Sequence, residues 1–242
     1  MSDKTIIAWT TRTWNPWRGC TKISAGCKNC YMFTAQERYG RNPKEVVRTK
    51  TWGDPLKWQR LAAAAGETEM VFTCSWSDWF HADADEWRDE AWALVRRCPN
   101  LQFQILTKRS DRIEAHLPAD WGEGYPNVWL GVSIESDEYT FRADELRDIP
   151  AAVRFISAEP LLNPLTSLNL TNIDWLIVGG ESGPGWRPMD HAWAIELQEK
   201  CSASGTAFFF KQSAAPRTEM GIELNGKIAR EFPIPRVVPQ VA

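Results

Sequence analysis

The chain has 242 residues, 43% apolar and 24% charged, with a formal net charge of −3. That composition excludes a disordered or low-complexity chain, and the length is ample for one large buried core. No apolar run approaches the roughly 20 residues that span a bilayer. Met1-Ser2-Asp3-Lys4 leads into a short apolar run without a secretory h-region, so a cytoplasmic setting is expected.

Taken in chain order, Ile6-Ile7-Ala8-Trp9 reads as a first strand. A loop holding three cysteines follows, then a helix-compatible segment from Tyr31 to Tyr39 that stops at Gly40. Asp54-Pro55 opens a helix, with Leu61, Ala62 and Ala65 inside it and Gly66 closing it. Met70 to Cys74 is the second strand. Asp83 and Glu86 resemble a capping box, after which Trp87, Ala91, Leu94, Val95 and Cys98 line one helical face. Leu101 to Leu106 is the third strand, and Ser110 is placed to cap a short helix through His116. Val128 to Val132 is the fourth strand, and Asp137 is placed to cap a helix toward Arg147. Val153 to Ser157 and Trp175 to Val178 are the fifth and sixth strands. Asp190 caps a helix carrying Trp193, Leu197 and Cys201 that stops at Gly205, and Ala207 to Phe210 is a seventh strand.

Several of these strands are nearly continuous apolar runs, as buried parallel strands are. Strand and helix alternate, which predicts an α/β fold with a parallel sheet. The expected architecture is a partial (β/α)6-7 TIM-like barrel. It is read as one domain over residues 1–242, with a cysteine loop at 18–31 and a C-terminal extension at 212–242. Polar groups follow almost every strand: Ser75, Ser77 and Asp78; Thr107 and Lys108; Ser133 and Glu135; Ser157 and Glu159; Gly179, Gly180 and Glu181; Lys211 and Gln212. In a barrel these converge on the C-terminal face, where barrel active sites lie.

Charge is distributed unevenly. Residues 1–60 carry 12 Lys and Arg against four acids, and the remainder carries 16 against 27. A basic first quarter on an acidic body points to a localised anion-binding face.

Six cysteines in a chain of this size, without an export signal, are expected to be reduced. Cys98 and Cys201 fall on helix core faces and read as small buried hydrophobes. Cys74 ends a strand near the presumed site and stays a minor candidate for a reactive thiol or a fourth ligand. Cys20, Cys27 and Cys30 form a C-x6-C-x2-C loop in which Gly19 and Gly26 permit tight folding. Structural zinc needs four ligands, and only one C-x-x-C is present. A fourth ligand would have to come from Cys74, His81 or a distant residue. A 4Fe-4S cluster can be held by three cysteines with one iron left open, so the set of three favours a cluster, with zinc and unmetallated thiols as alternatives. His81 and His191 read as capping or surface residues, and His116 as a dipole contact at the end of a short helix. Gly179 to Gly185 lacks the G-K-[ST] ending of a phosphate loop, and Glu181 would repel phosphate.

Of the 14 tryptophans, Trp87, Trp92, Trp129, Trp175 and Trp193 read as core. Trp9, Trp14, Trp17, Trp52, Trp76, Trp79 and Trp186 are expected in loops around the active face. There, with Arg12, Arg18, Lys50 and Arg187, they could stack nucleobases beside phosphate-binding cations.

Three cysteines in a loop after the first strand of such a barrel resemble the radical S-adenosylmethionine (SAM) superfamily. The six-residue gap departs from its usual C-x3-C-x2-C spacing, and Asn29 stands where an aromatic residue is usual. More closely, the chain resembles a phage and bacterial family of unknown function, the three-Cys-motif proteins. The resemblance rests on Trp14-Asn15-Pro16, Gly19-Cys20-Thr21, Gly26 to Tyr31, Ser77 to His81, Leu106 to Arg109, Trp129 to Ser133, Ser157 to Leu161, Gly179 to Gly185 with Arg187-Pro188-Met189, Phe208 to Gln212, and Leu224-Asn225-Gly226.

The resemblance implies that Cys20, Cys27 and Cys30 bind a 4Fe-4S cluster whose open iron takes SAM. Reductive cleavage of SAM then gives a 5′-deoxyadenosyl radical. It further implies Asp78 at the SAM ammonium, in place of the Gly-Gly-Glu that usually follows the second strand; Lys108 at the carboxylate; and Ser133 or Glu135 at the ribose. Ser75, Glu159, Gly179, Gly180 and Glu181 complete the candidate cofactor-binding set. An electron donor is implied, and a partner protein encoded nearby is expected. The substrate is expected to be a nucleic acid or nucleotide. Two other readings stand beside this one: a non-enzymatic, metal-stabilised nucleic-acid-binding protein, and a zinc-dependent hydrolase, which three histidines support poorly.

Overall fold

The computed structural model describes residues 4–238. In chain order the strands are β1 (Arg12–Trp14), β2 (Trp17–Arg18), β3 (Val47–Arg48), β4 (Glu69–Thr73), β5 (Leu101–Thr107), β6 (Val128–Ser133), β7 (Val153–Ala158), β8 (Trp175–Gly179) and β9 (Ala207–Gln212). The helices are α1 (Tyr31–Arg38), α2 (Asp54–Ala65), α3 (Asp85–Arg96), α4 (Phe141–Arg147) and α5 (His191–Ser204). Seven strands form one sheet in the order β1-β4-β5-β6-β7-β8-β9, and every neighbouring pair is parallel. β1 and β9 remain edges, so the sheet is an open half-barrel. Strands β2 and β3 form a separate antiparallel pair. Among the described residues no helix is long and apolar enough to cross a membrane.

Side chains alternate across each strand, which divides the core in two. One face of the sheet packs against the helices through residues such as Val71, Ile105, Leu130, Ile156, Leu176 and Phe210. The other face lines the barrel interior with Trp129, Val153, Phe155, Trp175, Ile177 and Phe209. Trp175 meets the rings of Phe155, Trp129 and Phe209 at 5.8, 5.8 and 5.9 Å. Gly131 lies under the Phe155 ring, where an added Cβ would sit 2.4 Å from it. Gly131→Ala is therefore expected to cost about 1–3 kcal/mol by overpacking, read as a fall in the urea midpoint. An unchanged midpoint would show that the ring has room to move.

The Ile6–Trp9 strand is not present. A turn closes there, with Thr10 N–H donating to Ile7 O at 3.3 Å, and the first strand is Arg12–Trp14. Trp9 alone of that run is buried, plugging the barrel with its ring 4.6 Å from Phe72 and 6.2 Å from Trp175, while Ile6 is 76% exposed. Three expected caps also differ, the first at Asp83, which lies inside a 3-10 turn over Ala82–Ala84 while α3 starts at Asp85 with no side-chain cap. Residues Ser110–Arg112 and Glu114–His116 form successive 3-10 turns. Asp137 accepts from Ser167 N–H at 2.8 Å instead of capping α4. Asp190 does cap α5, accepting from Ala192 N–H at 2.9 Å, and Gly205 stops it in the left-handed region. Gly66 stops α2 in the same way.

The segment after β9 covers that strand's open edge, with Phe210 N–H donating to Ala229 O and Glu231 N–H to Phe208 O. Covering an edge removes a template for unwanted pairing.

Candidate active site

The interior face of each strand ends in a residue with chemistry. Continuing the alternation, Trp129 and Gly131 lead to Ser133, Phe155 to Ser157 and Glu159, Ile177 to Gly179 and Glu181, and Phe209 to Lys211. At this C-terminal end the sheet opens into a cavity of about 620 Å³, within the range of small-molecule sites. Cys20, Cys27 and Cys30 all line it, and none of the six cysteines is in a disulfide.

The cysteine loop is held from several directions. Gly19 N–H donates to Trp76 O at 3.0 Å, Ser77 Oγ donates to Gly19 O at 2.5 Å, and Cys20 N–H donates to Pro43 O at 2.9 Å. Gly19 has φ of +95°, and a Cβ there would lie 2.1 Å from Glu45 O, so only glycine fits. A 3-10 turn over Ala25–Cys27 presents Gly26 N–H to Glu135 Oε1 at 3.0 Å. Arg187 Nη1 donates to Ala25 O at 3.0 Å. Asn29 Nδ2 donates to Glu181 Oε2 and to Gly185 O, both at 2.9 Å. Helix α1 starts directly after Cys30, and Tyr31 Oη donates to Ser75 O at 2.6 Å.

A second network anchors the loop to the ends of β4 and β5. Asp78 Oδ1 accepts from Phe80 N–H at 2.9 Å and Thr107 Oγ1 at 2.7 Å. Asp78 Oδ2 accepts from Lys108 N–H at 3.0 Å and pairs with Arg109 Nη1 at 3.0 Å. Arg109 in turn donates to Thr21 Oγ1 at 2.8 Å and lies 3.8 Å from Cys20 Sγ. His81 Nε2 meets Thr21 Oγ1 at 3.0 Å, while its Nδ1 accepts from Asp83 N–H, which makes His81 the cap of the next turn. Burial, then Arg109, holds the His81 pKa below its usual value, so the ring is neutral with its proton on Nε2.

Burial pushes the Cys20 thiol up to about 12, with Asp78 adding to the rise and Arg109 opposing it. Burial likewise raises Cys30. Both are therefore neutral thiols until an electropositive group displaces their protons. Burial also acts to raise Glu135, but Lys108, Ser24, Arg142 and Gly26 N–H outweigh it and hold the carboxylate below its usual range.

The structure brings Ser75, Asp78, Lys108, Ser133, Glu159 and Glu181 to the cavity with the three cysteines. Three other expected residues stand behind it. Glu135 is fully buried between Gly26 N–H, Arg142 Nη1 at 3.1 Å and Lys108 Nζ at 3.7 Å, so it braces the loop. Gly179 packs near Glu159, and Gly180 is forced by the chain itself, since a Cβ would lie 2.1 Å from Ala214 N. Glu181 is engaged by Arg187 and Asn29. Glu159 is paired with Lys211 alone among the described residues.

Sequence reading placed Lys211 among the polar groups converging on the C-terminal face but not in the cofactor-binding set, and it missed Arg109, Asn15 and Asn29 as site residues. Lys211 carried a signal, because it follows Phe209 in the interior register. Asn15 carried none: its Oδ1 takes Trp76 N–H at 2.8 Å, a partner 61 positions away. Cys74 lines the cavity in the left-handed region, with φ of 56°. Cys98 and Cys201 are buried in the helix-side core, as expected.

The tryptophans expected around the active face divide differently. Trp14, Trp17 and Trp79 are fully buried, with Trp79 lying 5.8, 5.1 and 5.0 Å from Trp14, Trp17 and Trp92. Trp9 floors the cavity, Trp76 borders it, and Trp186 is exposed. Arg12 sits at the opposite end of the sheet, paired with Glu69 over Trp58.

Among the described residues no set of three or more His, Cys, Asp or Glu side chains is arranged to hold a metal ion. The three cysteines instead lie around one cavity.

The parallel half-barrel is the partial TIM-like fold that the resemblance to the radical SAM type implies. The chain is structurally similar to a variant of spore photoproduct lyase solved with bound AdoMet and dinucleoside spore photoproduct. The TM-score is 0.53 at 12% identity, and the match covers 84% of this chain and 64% of that one, so the chain spans under two thirds of that relative. No curated sequence matches it significantly. A family model described as "Protein of unknown function (DUF5131)" matches residues 4–233, and the chain belongs to that family.

Proposed function

We propose that this protein is a radical SAM-like iron–sulfur enzyme that modifies or repairs a nucleic acid or nucleotide. The observation that carries the reading is three free thiols from one loop facing one cavity at the mouth of a parallel half-barrel. The donor set suits a cluster better than a single ion, because a cubane takes its three cysteines at separate irons and leaves the fourth open. Cys20, Cys27 and Cys30 would hold it. When bound, the cluster and SAM supply the electron and the 5′-deoxyadenosyl radical.

The chain's own residues orient and enclose. Glu135, Arg187 and Asn29 fix the loop, and Trp9, Phe72 and Leu106 close the floor to water. Lys108 is the candidate for the SAM carboxylate, with Ser75 and Ser133 for its hydroxyls. Of the acids facing the cavity, Glu159 is the freest to take the ammonium, because Asp78 and Glu181 are already engaged by several donors. The reading requires an electron donor, and a partner protein fits beside it.

Anaerobic protein reconstituted with iron and sulfide is expected to turn brown, to change its reduced cluster signal when SAM is added, and to release 5′-deoxyadenosine. Colourless protein holding zinc would sink the proposal. A cluster indifferent to SAM would favour a metal-stabilised nucleic-acid-binding protein.

A further inference from the structure

The stretch from Arg18 to Lys50 carries eight Lys and Arg against two Glu. One of these cations, Arg41, joins an aromatic pair at the cavity mouth. The Tyr39 ring, on a residue 63% exposed, stacks on Trp76 with centroids 6.5 Å apart and planes at 24°. The Arg41 guanidinium lies 5.4 Å from the Tyr39 ring centroid. Trp76 is half-buried and also borders the cavity. Its backbone is fixed on both sides, by Asn15 Oδ1 on its N–H and by Gly19 N–H on its carbonyl. Among the described residues Arg38, Arg41 and Lys44 form no ion pair with a carboxylate, although the body of the protein is acidic.

Such an exposed phenol ring beside cations without carboxylate partners adds only about 0.5–1 kcal/mol to folding through the Arg41 contact. It suits a partner that brings flat π-faces and spaced negative charge together. We propose that Arg41, Tyr39 and Trp76 form a stacking platform for single-stranded nucleic acid. The strand's phosphates would lie along Arg38, Arg41 and Lys44, and one unpaired base would rest against Trp76 as it enters the cavity. A protein partner would use such a surface less well, because the apolar area is narrow and the cations are unpaired. A duplex would be excluded because its bases are already stacked. The inference names the substrate class for the proposed activity, but its test needs neither cluster nor SAM.

The probe is a fluorescently labelled 12-nucleotide single strand of mixed sequence, titrated with the full-length protein as purified and read by anisotropy at several salt concentrations. The single strand is expected to bind at least tenfold more tightly than the same sequence as a duplex. Trp76→Ala should weaken binding about tenfold, as loss of one stacked base does. Trp76→Phe should recover most of that loss. Tyr39→Ala, at an exposed position that folding tolerates, should weaken binding several-fold. Arg41→Ala combined with Lys44→Ala should flatten the salt slope by about 1.4, for two phosphates. Equal affinity for duplex and single strand would overturn the proposal. So would unchanged affinity in folded Trp76→Ala and Tyr39→Ala, or equal binding of a polyglutamate competitor. Strand binding that survives failure of the reconstitution experiment would separate this inference from the enzymatic one.

Discussion

Asp78→Ala is expected to destabilise the protein by about 3–5 kcal/mol, the usual cost of removing one partner of a buried ion pair. Asp78 is 5% exposed and Arg109 is 9% exposed, so the guanidinium would be left buried without its carboxylate. Phe80 N–H, Lys108 N–H and Thr107 Oγ1 would lose their acceptor in the same substitution. Asp78→Asn keeps an oxygen for Phe80 and Thr107 but turns an amide N–H toward Arg109 and Lys108, so it is expected to remain destabilised. Urea unfolding of both variants against wild type checks this. The experiment also decides what Asp78 is for. A carboxylate reserved for the SAM ammonium would have unfilled oxygens in the ligand-free protein, and its replacement would leave stability within about 1 kcal/mol of wild type, as for a residue outside a buried network.

Cys27→Ala is expected to abolish cluster binding, because a cubane held by three cysteines does not survive with two. Iron per chain after anaerobic reconstitution should fall from about four to near zero, with the visible absorption lost. Cys98→Ala is the control. That thiol is fully buried behind the sheet, far from the cavity lining. Its removal should cost about 1–2 kcal/mol through a small void, and iron content should stay at the wild-type value. Equal iron in the two variants would falsify the ligand assignment. Loss of iron in both, with Cys98→Ala still folded, would point to a ligand set that extends beyond the loop.

Much of the framework was legible from residues alone. Six of the seven sheet strands coincide with largely apolar runs read from the sequence, because a strand buried on both faces is nearly continuously apolar, with Gln104 in β5 an exception that donates to Trp9 O. The cysteine loop was legible from spacing. The convergence of Ser133, Glu159, Glu181 and Lys211 on one mouth follows from strand alternation in a parallel sheet. The misreading at Ile6–Trp9 has a physical cause. Trp9 is buried by plugging the barrel, which meets the same burial requirement as pairing in a sheet, whereas Ile6 stays 76% exposed without a strand partner.

What each polar residue does was not legible. Asp78, Glu135 and Glu181 look alike as acids after strands. Asp78 is neutralised by residues about thirty positions on, Glu135 holds a glycine N–H 109 positions back, and Glu181 meets Asn29 across 152 positions. The tryptophans show the same limit, since Trp76 and Trp79 are three residues apart and one borders the cavity while the other is sealed in the core. Burial patterns are periodic along the chain and can be read from it. Hydrogen bonds and ion pairs fall off within a few ångströms, so their partners are fixed only when the folded sheet brings distant segments together. The sequence by itself determined the half-barrel, the reduced cysteine triplet and the basic first quarter. The tertiary structure decided which acids face the cavity, which of them hold the loop, and where Arg41 meets an exposed ring.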